Sequence, residues 1–286
     1  MPKKKHLVLA GNDAVYPYVL ATLLSAVRSG LPESVEFHLI TDRQSIARRG
    51  ATLHAAALRT GLVTTRGLKI HHVDDGFASE FPLSCHLTPG AYYRLQIPRL
   101  LGQDPGTVIY LDCDILVRSS LTPLFCTSLG DSLLAAVAGG STGGVALSLA
   151  PEWGYFNSGV MVLDLDRWRS ERVADRALCY IAQNADRIRW ADQDALNAVV
   201  AGRWLRLDKE WNWQWIHVAD GGRSEPRVVH FSSSLKPWHW NSRHPYTSEY
   251  RAVLREVGWP GGGVTRPTWR QRLSFIYSGL RVRGAR

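Results

Sequence analysis

The run Thr107-Val108-Ile109-Tyr110-Leu111-Asp112-Cys113-Asp114-Ile115-Leu116-Val117 decides how this chain reads. Strand-forming residues lead straight into two carboxylates spaced i, i+2, and an extended backbone carries such a pair on one face. Neighbouring carboxylates repel each other unless a cation lies between them, and their oxygens suit Mg2+ or Mn2+. In open α/β sheets the ligand crevice lies at the carboxyl ends of the strands, which is where this pair falls. A solvated turn after a strand has the same local sequence, so the surroundings have to decide.

Upstream, residues 6–10 read as a short buried strand, and residues 15–29 carry helical spacing that stops at Gly30. Residues 34–40 alternate as a strand, Thr41-Asp42 reads as a turn and helix cap, a helix runs through Ala57, and a strand follows at 68–73. This β-α-β-α-β opening predicts an α/β fold, a mixed, mainly parallel sheet flanked by helices. Residues 89–101 read as a helix bent by Pro98. Downstream, strands are expected at 133–138 and 159–165, a helix at 166–185, a short helix at 192–201, and strands at 204–207 and 227–231. Trp211, Trp213 and Trp215 alternate with Asn212 and Gln214, which places three rings on one face of an extended segment. That suits sugar faces and core packing equally. The run Trp259-Pro260-Gly261-Gly262-Gly263 reads as a linker, dividing a body of residues 1–256 from a tail of residues 257–286.

Of the 286 residues 45% are apolar and 21% charged, so the chain can bury a core without disulfides or a structural metal. Cys85, Cys113, Cys126 and Cys179 show no CxxC spacing and read as reduced thiols of a cytosolic protein. No apolar run approaches the roughly 18 residues of a membrane span. The basic-then-apolar start is interrupted by Asn12 and Asp13, so it reads as strand, turn and helix rather than a leader. A net charge of +9 calls for an anionic partner. The charge is unevenly spread, because no acid occurs from Val257 onward while six arginines crowd the end. No nucleic-acid motif accompanies it, so no nucleic acid is expected. A nicotinamide enzyme would need GxGxxG after the first strand, but Ala10-Gly11-Asn12-Asp13 has a single glycine.

Around the acidic pair stand Tyr92-Tyr93-Arg94-Leu95, Ser120-Leu121-Thr122-Pro123-Leu124-Phe125, Tyr155-Phe156-Asn157-Ser158-Gly159, Asp192-Gln193-Asp194-Ala195-Leu196-Asn197, His230-Phe231 and Lys236-Pro237-Trp238. In this order and spacing, over roughly residues 7–240, the chain resembles glycosyltransferase family 8. These are retaining enzymes of the GT-A fold that include bacterial lipopolysaccharide galactosyl- and glucosyltransferases. The resemblance implies a GT-A catalytic domain over 1–256 that moves galactose or glucose from a UDP-sugar to an acceptor glycan, such as lipopolysaccharide core or another cell-envelope saccharide. It further implies that Asp112, Asp114 and His230 bind Mn2+ (or Mg2+), and that Cys113 lies between the two aspartates at the donor. Lys236 and the Ser233 position would meet the diphosphate, and Ala10, Asn12 and Asp13 the base. Arg94, Asn157, Ser158 and Asp192 would reach the donor sugar.

Gln193 would sit beneath the anomeric carbon. It is uncharged and a poor nucleophile, so front-face attack is preferred over a covalent intermediate, for which Asp194 is the candidate carboxylate. Read from the residues alone, Asp192 and Asp194 are also ordinary helix N-terminal acids, and His230 a strand-end hydrogen-bonding histidine. The chain departs from the family at Asn12, Ser233 and Ala138-Gly139-Gly140, which leaves the hexose open and keeps a catalytically silent nucleotide-sugar binder as the alternative. The tail, with Trp269, Phe275 and Tyr277 among its arginines, fits an anchor on anionic lipid. The expected location is therefore cytoplasmic and peripheral, on the inner face of the cytoplasmic membrane.

Overall fold

The computed structural model describes residues 4–265 except 63–66, 75, 84–87, 103–105, 141–143, 145–146 and 220–224. The strands are β1 (Lys4–Ala10), β2 (Val35–Asp42), β3 (Leu68–Val73), β4 (Gly106–Leu111), β5 (Ile115–Val117), β6 (Leu134–Ala138), β7 (Phe156–Asp164), β8 (Trp204–Arg206) and β9 (Val228–His230). The helices are α1 (Tyr16–Arg28), α2 (Arg43–Arg59), α3 (Ile97–Leu100), α4 (Thr122–Phe125), α5 (Leu165–Ser170), α6 (Val173–Gln183), α7 (Asp192–Val200), α8 (Trp215–Ala219) and α9 (Thr247–Val257).

Seven strands form one sheet in the order β3-β2-β1-β4-β7-β6-β8. The pairs β1–β2, β1–β4, β2–β3 and β6–β8 are parallel, whereas β7 runs antiparallel to both β4 and β6. Period-two alternation gives the inner strands β1, β2, β4 and β7 two buried faces, whereas the edge strand β3 is mostly exposed or part-exposed. Leu7, Leu9, Ile109 and Leu111 join the core beneath α1, α2 and α9, while Val8, Val108 and Tyr110 join the core beneath α5–α7 and the 3-10 segment Pro89–Gln96.

The apolar run at 107–117 is two strands rather than one. β4 ends at Leu111, and β5 resumes in a second, two-stranded sheet with β9. Residues 112–114 are the corner between the two sheets, so the acids leave the extended backbone and face a crevice. Antiparallel pairing sets Ile115 opposite His230 and Val117 opposite Val228, and the Phe231 N–H donates to Asp114 O.

Other expectations shift for local reasons. The helix expected at 166–185 breaks at Arg172, which is left-handed at φ +51. The stretch 89–101 is mostly 3-10, as a chain with prolines near both ends allows. The three tryptophans do not share a face: Trp211 closes a 3-10 turn, Trp213 is buried and Trp215, half-exposed, opens α8. The glycine run after α9 is not a tether. Trp259 is buried, Tyr18 Oη donates to Gly263 O, and the Thr265 N–H donates to Trp238 O, so the body extends to residue 265 rather than 256. Cys85 and the tail beyond Thr265 lie outside the described residues.

Candidate active site

A cavity of about 410 Å³ opens across the carboxyl ends of β1 and β4, walled among others by Ala10, Gly11, Arg94, Tyr110, Asp112, Cys113, Asp114, Asn157, Ser158, Asp192, Gln193, His230 and Lys236. The sheet order explains the convergence. β7 lies beside β4, and the Asp112 N–H donates to Gly159 O, which sets Asn157-Ser158-Gly159 against the acidic corner. A Cβ at position 159 would meet His230 Cε1 at 2.3 Å and Asp112 Oδ2 at 2.8 Å, so only glycine lets these two side chains close in.

Each aspartate has one oxygen braced and the other turned inward. Asp112 Oδ1 accepts from Arg94 Nη2 (2.8 Å) and Tyr110 Oη (2.9 Å), while Oδ2 stands 3.7 Å from His230 Nε2. Asp114 Oδ2 accepts from Lys236 Nζ (2.5 Å), while Oδ1 stands 3.4 Å from His230 Nε2. Burial opposes ionisation of Asp114, yet the Lys236 ammonium outweighs it and holds the carboxyl well below its ordinary range.

Two backbone amides fix the polarity of everything behind this triad. The Gly159 N–H donates to Asn157 Oδ1 (3.0 Å), so Asn157 Nδ2 must point the other way, where it donates to Gln193 Oε1 (3.0 Å). That oxygen also accepts the Ser158 N–H (3.1 Å). Asn212 Nδ2 donates to Asn157 Oδ1 (2.8 Å), which leaves Asn212 Oδ1 facing His230 Nδ1 at 2.9 Å. An amide oxygen only accepts, so His230 carries its proton on Nδ1 and presents the Nε2 lone pair to the two aspartates.

The donor set therefore fits a divalent ion: two inward carboxylate oxygens and an imidazole lone pair, all within 4.8 Å of one another. Asn212, fully buried, is the residue that orients the histidine. Replacing it by leucine (Asn212→Leu) should weaken Mn2+ binding by about 10–100-fold, the usual loss for an outer-shell partner. Free Mn2+ followed by electron paramagnetic resonance reads this out, and unchanged affinity would remove Asn212 from the account.

Arg94 is a buried brace rather than a surface arginine. It donates to Ser158 O (2.8 Å), Ser158 Oγ (3.1 Å) and Asp112, and its Nε stands 3.0 Å from Asp192 Oδ2. The Nε–H is directed at Ala91 O (3.1 Å), so Asp192 Oδ2 is an ion-pair partner without a hydrogen bond. Burial pushes the Asp192 carboxyl up to about 7, against the pull of Arg94.

Four residues expected at the donor are not among the cavity walls. Asn12 accepts the Ala14 N–H (3.3 Å) and caps a 3-10 turn. Asp13 is held by both Arg48 nitrogens at 2.8 Å, and Ser233 Oγ donates to Leu235 O. Asp194, the candidate nucleophile, has both oxygens committed: Oδ2 accepts the N–H groups of Arg189 (2.7 Å) and Trp190 (2.9 Å), and Oδ1 accepts from Tyr155 Oη (2.6 Å). It ties down the loop entering α7, where Ala191 is held at φ +50 at a cost of about 1–3 kcal/mol. Conversely, Tyr110, Trp190, Ser232, Ser234, Trp238 and His239 line the cavity and were not anticipated there. Trp238 stacks on Tyr18 at 3.6 Å and 6°, which anchors the Lys236 segment.

A sheet of this order, with an acidic corner at the end of its central strand, is the GT-A glycosyltransferase fold. The structure matches the crystal structure of the galactosyltransferase LgtC in complex with donor and acceptor sugar analogues at a TM-score of 0.77 and 24% identity, covering 93% of this chain and 99% of that one. The family model for glycosyl transferase family 8 matches residues 8–242, and the chain belongs to that family. Relatives include General stress protein A of Bacillus subtilis (31% identical, 62% of this chain and 68% of that protein). They also include the glycosyltransferase GlyA of Streptococcus pneumoniae (28%, 90% and 34%) and the lipopolysaccharide 1,2-glucosyltransferase of Escherichia coli (26%, 59% and 54%). The chain thus spans about a third of GlyA and about half of the glucosyltransferase.

Proposed function

We propose that this chain transfers galactose or glucose from a UDP-sugar to an acceptor glycan of the cell envelope, with Mn2+ and with retention of anomeric configuration. The observation that carries the reading is the inward-facing triad of Asp112, Asp114 and His230, its tautomer fixed, in the wall of a cavity large enough for a nucleotide sugar. A mixed oxygen and imidazole set favours Mn2+ over Mg2+. Bound there, the ion would neutralise the two phosphates of the departing nucleoside diphosphate. Lys236 adds a second positive charge at the same edge, and Asp192 Oδ2, buried and lacking a hydrogen bond, is placed to accept from a sugar hydroxyl. Trp190, 44% exposed on the cavity wall, offers an apolar face for a sugar ring. A screen of nucleotide sugars for metal-dependent hydrolysis without acceptor tests the reading. Hydrolysis of none, or hydrolysis indifferent to metal, would count against it.

The way the groups of this wall are engaged supports retention. Gln193 Oε1 already accepts two hydrogen bonds and its Nε2 donates to Tyr155 Oη (2.8 Å), so the amide serves as a fixed dipole beneath the sugar. With Asp194 committed elsewhere, front-face attack is favoured, in which the acceptor proton passes to a diphosphate oxygen. Transfer from an α-linked donor should therefore give an α product, which NMR of the new linkage reads directly; a β product overturns the assignment.

No helix among the described residues is long and apolar enough to cross a membrane. The basic tail supplies the proposed peripheral attachment, at about 1 kcal/mol per arginine near an anionic leaflet. Since residues 264–265 pack on the body, the deletion that tests this begins at Arg266. Removal of 266–286 should release the protein from anionic vesicles at low salt and leave donor hydrolysis nearly intact. Equal co-sedimentation of both forms would exclude the tail as anchor.

A further inference from the structure

A second cluster of metal-binding side chains stands well away from the cavity. Parallel pairing sets His6 of β1 opposite Glu36 of β2, and period two brings His38 to the same face. His6 Nδ1 and His38 Nε2 are 3.0 Å apart, and Glu36 Oε2 lies 3.5 Å from the first and 3.8 Å from the second. We propose that His6, Glu36 and His38 form a second metal site, selective for a zinc-class ion, that clamps β1 to β2 independently of the active site.

Metal bonds of about 2.0–2.1 Å reach all three corners of a triangle of this size at once. Two imidazoles and one carboxylate match the ligand types of three-ligand zinc sites that keep a fourth position for water. Both histidines are buried, at 1% and 3% exposure, whereas Glu36 is part-exposed and gives the ion its way in.

Two surrounding features fit the same reading. Gly106, at the start of β4, makes room for the His6 ring: a Cβ there would meet His6 Cδ2 and Nε2 at 2.7 Å. His71 of β3 places its Nε2 2.9 Å from His38 Nδ1, the outer-shell partner that turns a histidine's other nitrogen toward a metal. The competing cation is Lys69, whose Nζ lies 2.8 Å from Glu36 Oε2; its side chain is half-exposed and free to swing into water.

The site is separate from the catalytic one. His6 precedes Ala10 by four residues along β1, about 13 Å at the strand rise, and lies outside residues 8–242. The inference does not rest on the proposed transferase activity.

The test uses the full chain, stripped with chelator and titrated without nucleotide. Co2+ should give the visible absorption of a low-coordinate site at one equivalent, and Zn2+ at a hundredfold excess over Kd should raise Tm by about 5 °C. Asp114→Asn, which damages the active-site triad, should keep both signals. On the Asp114→Asn background, where the active-site triad is damaged, Glu36→Gln and His38→Gln should lose both, with affinity at least tenfold weaker. Glu36 is a part-exposed surface carboxylate, so Glu36→Gln keeps the test decisive if His38→Gln fails to fold. Signals that survive Glu36→Gln on the Asp114→Asn background, vanish in Asp114→Asn, or never appear in the parent chain would each overturn the site.

Discussion

Asp114→Asn should lower turnover of the nucleotide sugar by roughly a thousandfold, because a bound cation supplies several kcal/mol of charge stabilisation to the departing diphosphate and each 1.36 kcal/mol is a decade. The substitution removes the charge on the carboxylate that Lys236 holds ionised against burial. An asparagine oxygen can still accept from Lys236, so the corner should keep its shape and far-ultraviolet circular dichroism should be unchanged. Asp112→Asn should cost as much activity and more stability, since Asp112 also answers Arg94 and Tyr110. Chelator should reproduce the defect in the parent chain, and Mn2+ should reverse it. Undiminished transfer in excess chelator would sink the metal requirement outright.

The local parts of this site were legible in the sequence, and its long-range parts were not. Strand β4, the acidic corner and the first helices announce themselves through period and apolar run length, which depend on near neighbours. That the corner ends one sheet and begins another did not show, because Ile115-Leu116-Val117 is as good a continuation of β4 as it is a new strand. His230 was identified through resemblance, not spacing; what brings it to Asp114 is the pairing of β5 with β9. Asn212 sits in a Trp-Asn-Trp-Gln-Trp run whose alternation imitates a strand, and its role rests on partners at residues 157 and 230. Asp194 shows how neighbours in sequence and partners in space can point to different roles. An acid beside Gln193 reads as a candidate nucleophile, whereas Oδ2 accepts the Arg189 and Trp190 N–H groups and Oδ1 accepts from Tyr155 Oη. Polar networks of this kind are fixed by tertiary geometry and leave no periodic trace.

Arg94→Met should destabilise the chain by about 3–5 kcal/mol, the usual cost of leaving buried charges without their partner, and lower Tm by about 5–8 °C. Burial opposes the charge on Arg94, but Asp112 and Asp192 outweigh it, and the guanidinium is held ionised between them. The loss should depend on pH in a definite direction. Burial raises the Asp192 carboxyl from 3.8 to about 7, so between those values the folded state holds more protons than the unfolded one and stability falls as pH rises. Without Arg94 that carboxyl should shift further upward, which extends the falling window. The penalty of Arg94→Met, measured by urea denaturation, should therefore be larger at pH 8 than at pH 5. Arg94→Lys separates charge from shape. An ammonium can neutralise one aspartate but cannot span Ser158, Asp112 and Ala91 O together, so it should recover part of the stability and little of the activity. Its activity loss follows from Asp112: once Oδ1 is no longer held by a fixed guanidinium, Oδ2 is no longer aimed at the triad. Equal stability of Arg94→Met and the parent chain at pH 8 would show that the two acids do not need this cation.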